Sequence, residues 1–204
     1  MLRFSMPSND GRHQRGDRTR AALLDSCMRI IAAQGVAGAT QRSVAEAAGT
    51  SLASTTYHFT TRAGLLAATL DHAASIAVTE IDAVRQEILD GRLDPVAACL
   101  HYIRRQRSGQ SHTAIVVFEL AIAAIRETSL RDANRRFIDA LRDLFVPFAP
   151  APGAAAAIAD SFYGVLLLEL SRGGGPPAEL ERTVRALFDG FGVTEAVRLA
   201  GARR

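Results

Sequence analysis

The sequence predicts an all-α protein of about nine helices. Apolar residues recur at spacings of three and four in several stretches, for example from Leu23 to Ile31 and from Leu66 to Ile88, which is the period of an amphipathic helix. Clusters of glycine and proline, such as FVPFAPAPG at 145–153 and RGGGPP at 172–177, separate these stretches. Because no segment alternates apolar and polar residues as a strand does, we expect no sheet.

The N-terminal third contains four predicted helices. The first runs from Asp17 to Gly35, because glycine suits the position just after a helix C-terminus. Thr40 is positioned to cap a second helix that reaches Ala48, and Leu52 to His58 form a third. Thr61 caps a long fourth helix that extends to about residue 90. The polar residues 1–16, which lack any period, are expected to form a disordered tail.

Five further helices are predicted after Gly91. Asp94 and Pro95 are a typical N-cap and first helical residue, and they open a helix that reaches about Gln106. The others are expected at 112–126, 129–146, 154–171 and 178–191.

The positive charge lies at the N-terminal end. The chain has 24 basic residues, all of them arginine, and 21 acidic ones. Residues 1–62 hold eight arginines against four acidic residues, whereas residues 63–204 hold sixteen against seventeen. This distribution favours contact between the N-terminal third and a polyanion, although a basic tail alone would give the same count.

Composition also indicates the compartment. No stretch has the length and uncharged apolar character of a membrane-spanning helix, and the first residues lack the apolar core of a secretory signal. The two cysteines, Cys27 and Cys99, fall within apolar helical patterns and favour buried thiols. We therefore expect a cytoplasmic protein without a membrane partner.

Residues 40–62, TQRSVAEAAGTSLASTTYHFTTR, carry the pattern that best indicates a function. Two short predicted helices flank a break at Gly49, and the alanines at 45, 47 and 48 allow the helices to approach closely. This construction is typical of a helix-turn-helix, in which one helix braces another in the major groove of DNA.

The second helix of this motif is expected to present a small, polar and aromatic face. Four residues are expected to point outward: Ala53, Ser54, Tyr57 and His58. Three are expected to turn toward the core: Leu52, Thr56 and Phe59. A face of this kind can approach base edges and the thymine methyl group, and it offers few apolar anchors to a protein partner.

The stretch from RTRAALLDSCMRIIAAQG to TQRSVAEAAGTSLASTTYHFTTRAGLL resembles the N-terminal domain of the TetR (tetracycline repressor) family. The shared features are an amphipathic first helix, a glycine, a threonine-led second helix, an A-x-x-A-G-[VT]-S turn and a recognition helix ending in Tyr, His and Phe. They cover roughly residues 17–66. Thr56 stands where the family often has tyrosine, and Arg62 stands where the fourth helix usually has lysine.

The resemblance implies a role for each matching residue. Thr40, Gln41 and Arg42 would lie near phosphates and base edges at the start of the second helix, and Arg62 would grip a phosphate. Together with the outward face, the expected DNA-binding residues are Thr40, Gln41, Arg42, Ala53, Ser54, Thr55, Tyr57, His58 and Arg62. The alternative for Tyr57 and His58 is a packing or capping role, and Phe59 is expected in the core.

These observations divide the chain into three parts. They are the tail at 1–16, a helix-turn-helix DNA-binding domain at 17–61 with its motif at about 40–59, and an effector-binding and dimerisation domain at 62–204. The long fourth helix opens the last of these.

The sequence offers little support for catalysis. The five histidines form no HExxH, the cysteines form no CxxC, and neither a GxSxG elbow nor a phosphate-cradling loop is present. A nucleophilic role for Cys27 is disfavoured by its place in an apolar stripe. We expect no catalytic residue, no metal, no cofactor and no enzymatic activity.

Apolar and aromatic residues in the middle of the chain are suitable walls for a small-molecule pocket, and the resemblance implies that some of them bind an unknown small-molecule effector. The candidates are His101, Tyr102, Arg105, Phe118, Glu119, Ile122, Phe137, Phe162, Tyr163 and Leu166. The alternative is that these residues fill an ordinary helical core.

Glu119 is the only charged residue from Ala114 to Ile125. A carboxylate in such surroundings needs a cation, a hydrogen-bond donor or solvent. One hypothesis pairs it with Arg105, and the other places it in the effector pocket. The predicted helix 112–126 is expected to be separated from the DNA-binding unit by the helices at 95–106 and 62–90.

The two last predicted helices are expected to form a homodimer interface. The helix at 154–171 carries apolar residues on nearly all sides, which requires more burial than one short chain easily supplies. The resemblance implies that both helices pair with their copies, through Leu166, Leu167, Leu170, Leu187 and Phe191. The alternative is packing against the preceding helices of the same chain.

The sequence therefore predicts a dimeric transcriptional regulator, a repressor that binds a palindromic DNA operator and is released by a small molecule. One alternative is an all-helical enzyme or carrier whose N-terminal region only resembles a helix-turn-helix. Another is a protein-interaction adaptor without an effector response.

Overall fold

In the computed structural model, the described residues 9–109 and 111–201 form ten α-helices and two 3₁₀ turns and contain no strand. The helices are α1 (Asn9–Gly38), α2 (Gln41–Ala47), α3 (Leu52–His58), α4 (Arg62–Leu89), α5 (Pro95–Arg107), α6 (Thr113–Ala123), α7 (Arg131–Leu144), α8 (Ala154–Ser171), α9 (Pro177–Gly190) and α10 (Val193–Gly201). The 3₁₀ turns are Thr128–Leu130 and Val146–Phe148. The predicted all-α class is confirmed.

Polar caps fix where the helices of the N-terminal part begin. The Thr40 hydroxyl accepts a hydrogen bond from the Ser43 amide at 3.0 Å, and the Ser43 hydroxyl accepts one from the Thr40 amide. Ser51 caps α3 and Thr61 caps α4 in the same way: each hydroxyl accepts a hydrogen bond from the backbone amide three residues later, that of Ser54 or Gly64. The predicted caps at Thr40, Thr61 and Asp94 are therefore confirmed.

α1 is longer than the sequence predicts. Residues 1–8 of the expected disordered tail lie outside the described residues, but residues 9–16 are helical, so the prediction is wrong for them. Gln14 and Arg15 favour helix, and extending a helix that already exists costs little. The predicted stop is confirmed, since Gly35 leaves the helix with φ 72° before one more turn reaches Gly38.

The long helix α1 and the short helices α2 and α3 form a small unit around one end of α4. α1 contacts α2, α3 and α4, and α2 contacts α3. Its buried apolar residues include Leu23, Leu24, Cys27, Ile31, Val44, Phe59, Leu65 and Leu66. We call α1 to α3 the DNA-binding unit, because it contains the predicted helix-turn-helix.

The remaining helices pack around α4, which contacts α5, α6, α7 and α10 as well as α1. α10 is a helix that the sequence reading missed. Two residues, Phe191 and Gly192, separate it from α9; Gly192 has φ 70°, and Val193 of α10 is buried. The sequence predicts that the preceding helix ends at residue 191 and indicates no element after it, because a segment of nine residues shows too few turns of an apolar period to indicate a helix.

α6 packs directly on α1 as well as on α4. The expectation that this helix is separated from the DNA-binding unit is therefore wrong. Its apolar residues face several directions, and six of its eleven residues are buried. Because such a helix must be covered on more than one side, it lies between α4 and α1.

α8 is the one helix in the described ranges that is long and apolar enough, by length and composition, to cross a membrane. In this fold its Ile158, Phe162 and Leu166 are buried, and the helix contacts α5, α7 and α9. It also buries Glu169, whose carboxylate meets Arg172 at 2.7 Å and Arg107 at 3.7 Å. Leu168 on the other side is 58% exposed.

Candidate DNA-binding surface and ligand cavity

α2 and α3 are joined by a tight turn. Gly49 takes φ 63°, a conformation that favours glycine, and the Thr50 amide donates to the Ala45 carbonyl at 2.9 Å. Ala45 and Val44 are buried beneath the turn. The side-chain amide nitrogen of Gln41, Nε2, donates a hydrogen bond to the backbone carbonyl of Phe59 at 2.5 Å. This bond connects the start of α2 to the end of α3. The two helices are thus held in a fixed relation by short, directional bonds.

The outward face of α3 is rotated by about one residue from the predicted one. Thr55, predicted to face the groove, is completely buried, and its hydroxyl donates to the Ser51 carbonyl at 3.5 Å. Leu52 and Thr56, predicted to turn inward, are exposed. Phe59 is buried as predicted. Thr55 and Phe59 lie four residues apart and form the inner stripe, so Thr56 joins Ala53 and Tyr57 outside.

Tyr57 is the most prominent side chain of this face, being 84% exposed. A packing role does not fit that exposure. His58 is half-buried, and its ring lies edge-on to Tyr57 with centroids 5.2 Å apart. Ser54 is also half-buried. Tyr57 is therefore available to a partner, whereas His58 supports it from one side.

The arginines around this face differ in their availability. Arg42 is exposed and makes no hydrogen bond or ion pair with any residue in the described part of the chain. Arg20, which the sequence reading missed, lies 5.5 Å above the ring of Phe59. This cation–π contact brings a positive charge from α1 to the end of α3. No local spacing could have indicated it, since the two residues are far apart in the sequence.

Arg62 has a different role from the predicted one. Its Nε donates to the Ala39 carbonyl at 2.8 Å, its Nη2 donates to the Val36 carbonyl at 2.6 Å, and its Nη1 lies 3.7 Å from Glu127 Oε1. The break at Gly35 frees these carbonyls from the helix, and the guanidinium satisfies them. The expected phosphate grip does not fit this geometry, because the donors are already committed.

An apolar cavity lies among α4, α5, α6, α7 and α8. Six of the predicted pocket residues line it together: Tyr102, Phe118, Phe137, Phe162, Tyr163 and Leu166. Ala77, Ile81, Ala114, Val117 and Leu141 complete its wall. Tyr163 packs against Phe118 with ring centroids 4.3 Å apart and against Phe137 at 5.8 Å. We call this space the inner chamber.

A second space adjoins it, and we call it the outer chamber. Ile81, Tyr102 and Phe162 line both chambers. Its wall also includes residues from the α7–α8 connection and from α9 and α10: Phe145, Phe148, Phe188 and Val193. The cavity volume of the outer chamber is about 50 Å³, so a larger ligand must displace parts of its wall. Sequence reasoning missed it, because its wall joins elements that are distant in the chain.

Four predicted pocket residues do not reach either chamber. His101 and Arg105 lie on the exposed side of α5, and Arg105 pairs with Glu80 at 2.9 Å. Ile122 is 51% exposed. The buried stripe of α5 runs through Cys99, Tyr102, Ile103 and Gln106, so the neighbouring positions point away from the cavity.

Glu119 is the fourth. It lies at the contact between α6 and α1, where a Cβ added to Gly35 would be 3.7 Å from its Oε2. The predicted pair with Arg105 is wrong, because Arg105 binds Glu80 instead. Glu119 is half-buried and makes no hydrogen bond or ion pair with the residues that the structure describes. It does not line the cavity, so the pocket hypothesis is not supported either.

The N-terminal part of the chain matches a known protein family. The sequence model of bacterial regulatory proteins of the tetR family matches residues 23–69, which contain the whole helix-turn-helix and the start of α4. Residues 23–69 are therefore a tetR-family N-terminal domain.

Solved structures extend the likeness beyond this domain to most of the chain. The multidrug binding protein EbrR in complex with ethidium is 26% identical, with a TM-score of 0.64 over 83% of this chain and 97% of that one. A TetR-family member from Streptomyces coelicolor A3 is 24% identical, with a TM-score of 0.69 over 83% and 97%. A transcriptional regulator from Rhodococcus sp. Rha1 is 22% identical, with a TM-score of 0.66 over 84% and 95%. No curated protein sequence matches significantly.

The predicted dimer residues differ in their exposure. Leu166 is 4% exposed and lines the inner chamber, so it is a core residue rather than an interface residue. Leu167 is 38% exposed, and the neighbouring Leu168, which the sequence reading left out, is more exposed still. Leu170, Leu187 and Phe191 are half-buried. An apolar strip along α8 and α9 therefore stays partly uncovered in one protomer.

Both thiols are buried and poorly reactive. Burial raises the pKa of Cys99 to about 12 and also raises the pKa of Cys27, where a hydrogen bond from Thr69 and the charge of Arg62 act against the rise. Thiols with raised pKa values stay protonated at neutral pH and are weak nucleophiles. Within residues 9–109 and 111–201 no three His, Cys, Asp or Glu side chains are grouped as a metal site.

Proposed function

We propose that this TetR-family regulator is a cytoplasmic repressor that binds a palindromic operator as a homodimer and is released by a small molecule. One observation carries the proposal. The family's helix-turn-helix holds α3 with Tyr57 84% exposed beside Ala53 and Thr56, while the short bonds of Gln41, Thr40 and Ser51 fix the helix behind them. A short, rigidly braced and outward-facing helix suits insertion into the major groove.

Each exposed residue of this surface has a distinct task in the proposal. Tyr57 and Thr56 donate or accept hydrogen bonds at base edges, and Ala53 contacts a thymine methyl group. Arg42 and Thr40 at the start of α2 contact a phosphate, and Arg42 has no competing partner among the described residues. Gln41, Ser54 and His58 position this set.

The dimer follows from the apolar strip on α8 and α9. Leu167 and Leu168 are exposed on the face of α8 opposite its buried residues, and Leu187 on α9 is half-buried. Pairing with a second copy removes this strip from water. A two-fold dimer places two recognition helices at half-sites one helical turn apart, about 34–36 Å, or a multiple of that distance.

The ligand response starts in the chambers and reaches the DNA-binding unit through two contacts. α6 lines the inner chamber with Phe118 and packs on α1. Glu127, just after α6, meets Arg62, which holds the last carbonyls of α1. A ligand that fits only a displaced α6 stabilises a second arrangement of α1 and α3, and this differential binding lowers operator affinity.

The likeness to EbrR supports a ligand site of this general kind. The structure of EbrR has been solved in complex with ethidium and in complex with imidazole. The chain of the imidazole complex is 25% identical to this one. Its description as a multidrug binding protein agrees with a small-molecule response here.

A selection experiment tests the proposal. Duplexes bound by the full-length protein are selected from a random pool, and the winning sequence is measured by fluorescence anisotropy. Tyr57→Ala is expected to cost about 1–3 kcal/mol on that sequence and little on random duplexes, because Tyr57 reads bases. His101→Ala, an exposed change distant from α3, is the control and should match the wild type.

The alternatives predict other results. An enzyme or carrier would select no sequence and would show no steep salt dependence of duplex binding. An adaptor would bind DNA, if at all, without release by any compound in a metabolite screen.

A further inference from the structure

The chemistry of the cavity wall restricts the effector, and this inference rests on the proposed ligand response. No aspartate or glutamate in the described part of the chain lines either chamber. Two carboxylates on α4 are already engaged elsewhere, Glu80 with Arg105 and Gln106, and Asp82 with Arg85. A cation that entered the cavity would lose its hydration without meeting a negative charge.

The aromatic side chains do not replace that missing charge. Rings attract cations through their faces, but the rings here are packed on one another. Phe118 lies 4.3 Å from Tyr163, and Phe162 lies 5.8 Å from Tyr102 and 5.7 Å from Phe145, centroid to centroid. A bound cation would have to separate them before it gained a face.

An anion gains little as well. Arg85 is the one charged residue among the described lining residues, and it lies in the outer chamber. Its guanidinium is held by Asp82, one turn earlier on the same helix. Binding a carboxylate there would bring it next to the carboxylate of Asp82. The wall therefore favours an uncharged ligand.

One polar group inside the apolar wall lacks a partner. The hydroxyl of Tyr163 is buried, and no described residue accepts its hydrogen bond. Burial raises the pKa of this phenol, so it stays protonated and can only be satisfied by an acceptor or by water. A buried donor without a partner loses its hydrogen bonds to water and gains none in return. A ligand oxygen at this point supplies the missing acceptor.

We propose that the cavity binds an uncharged, mainly apolar molecule with one carbonyl or ether oxygen, which accepts a hydrogen bond from Tyr163. The apolar part of the ligand lies against Phe118, Phe137 and Leu166 and extends past Ile81 toward the outer chamber. This ligand class differs from ethidium, which is a permanent cation.

Four probes with the same apolar body and different polar groups test this inference: nonan-2-one, nonane, nonanoate and octyltrimethylammonium. Their affinities for the full-length protein are measured by calorimetry. The wild type is expected to bind nonan-2-one at least tenfold more tightly than either charged probe. Tyr163→Phe keeps the ring packing and removes the donor, so it should weaken nonan-2-one about three- to tenfold and leave nonane within twofold.

Tyr102→Phe is the matched control, because it also removes a hydroxyl from the cavity wall. The Tyr102 hydroxyl lies near the charges of Glu80 and Arg105 and is not the proposed donor to the ligand. Its loss should therefore leave the affinity for nonan-2-one unchanged. Tighter binding of octyltrimethylammonium or of nonanoate would overturn the ligand class. Unchanged affinity in Tyr163→Phe, or an equal loss in Tyr102→Phe, would overturn the assignment of the donor.

The proposed function is measured separately in the same preparations. Operator binding by the wild type without any probe reports the DNA-binding surface alone, so its absence contradicts the regulator and not the ligand class. Conversely, a protein that binds its operator but none of the four probes up to their solubility limits contradicts the ligand class and not DNA binding.

Discussion

The recognition surface and the cavity place aromatic side chains in opposite environments. Tyr57 at the surface of α3 is 84% exposed, whereas Phe118 and Phe162 in the cavity wall are each 6% exposed. Around α3, caps and the bond from Gln41 to the Phe59 carbonyl hold the backbone. Around the cavity, the rings pack on one another, and the buried hydroxyl of Tyr163 among them has no partner in the described part of the chain.

This difference matches the two tasks. Hydrogen bonds are directional and fix orientation, which a surface that reads base edges needs. Apolar packing is non-directional, so a ligand can replace one arrangement of rings by another at modest cost. The molecule thus combines a rigid recognition surface with a cavity whose side chains can rearrange. The two regions are connected where α6 and Arg62 contact α1.

The largest expected effect comes from separating the two recognition surfaces of the dimer. Leu167→Glu places a charge on the uncovered strip of α8 and should yield monomers in analytical ultracentrifugation. Because a monomer engages one half-site only, its operator affinity should fall by about a hundredfold or more. Leu199→Glu, a like change at a 49% exposed leucine of α10, is the control and should leave both measurements unchanged. A monomeric wild type at micromolar concentration would contradict the dimer.

Truncation of one aromatic residue in each region tests the comparison directly. Phe118→Ala removes a packed ring and should lower the free energy of unfolding by about 3–5 kcal/mol. Tyr57→Ala removes an exposed ring and should change it by less than about 0.5 kcal/mol. Urea denaturation of both variants measures this. Similar losses in the two would show that Tyr57 supports the fold rather than serving a partner.

The signals that allowed prediction are local ones. Thr40, Thr61 and Asp94 were identified as caps because a cap and its helix are adjacent in the sequence, and the helix bounds followed from them. The rotation of α3 was not predictable, since a helix of seven residues has too few turns for its apolar period to distinguish Thr55 from Thr56. Six of the ten predicted pocket residues line one cavity, because aromatic residues on apolar helix faces converge in a core.

Other features depend on contacts between distant residues. Nothing near Arg62 in the sequence indicates that the carbonyls of Val36 and Ala39 will occupy it, because their exposure results from the break at Gly35. The same holds for α6 on α1 and for the pairing of Arg105 with Glu80. Such contacts follow from the packing of whole helices, which one sequence does not specify.

Arg62 tests whether the link between the two regions is structural or electrostatic. Arg62→Ala leaves the Ala39 carbonyl without a described partner and removes one of the two hydrogen bonds that the Val36 carbonyl accepts. It should lower the free energy of unfolding by about 1–2 kcal/mol, a value reduced by the half-exposed site. The slope of log K against log salt for operator binding should stay unchanged. Arg42→Ala is the matched comparison, and it should lower that slope by about one unit with little effect on stability. A reduced slope in Arg62→Ala would restore Arg62 as a phosphate contact.

The smallest expected effect concerns Glu119, at the contact between α6 and α1. Its carboxylate is half-buried beside Gly35 and has no cation or donor among the described residues, so its desolvation is not compensated. Glu119→Gln keeps the shape and removes the charge. We expect a gain of up to about 1 kcal/mol in the free energy of unfolding, with operator binding and ligand affinity both unchanged. Chemical denaturation and anisotropy measure these quantities, and Glu127→Gln provides a control in which a carboxylate that does have a partner, Arg62, is neutralised. That control should lose stability where Glu119→Gln gains it. A Glu119→Gln variant that binds its operator normally but no longer responds to ligand would instead make this carboxylate part of the effector response. It would act at the contact between α6, which lines the cavity, and α1, which belongs to the DNA-binding unit.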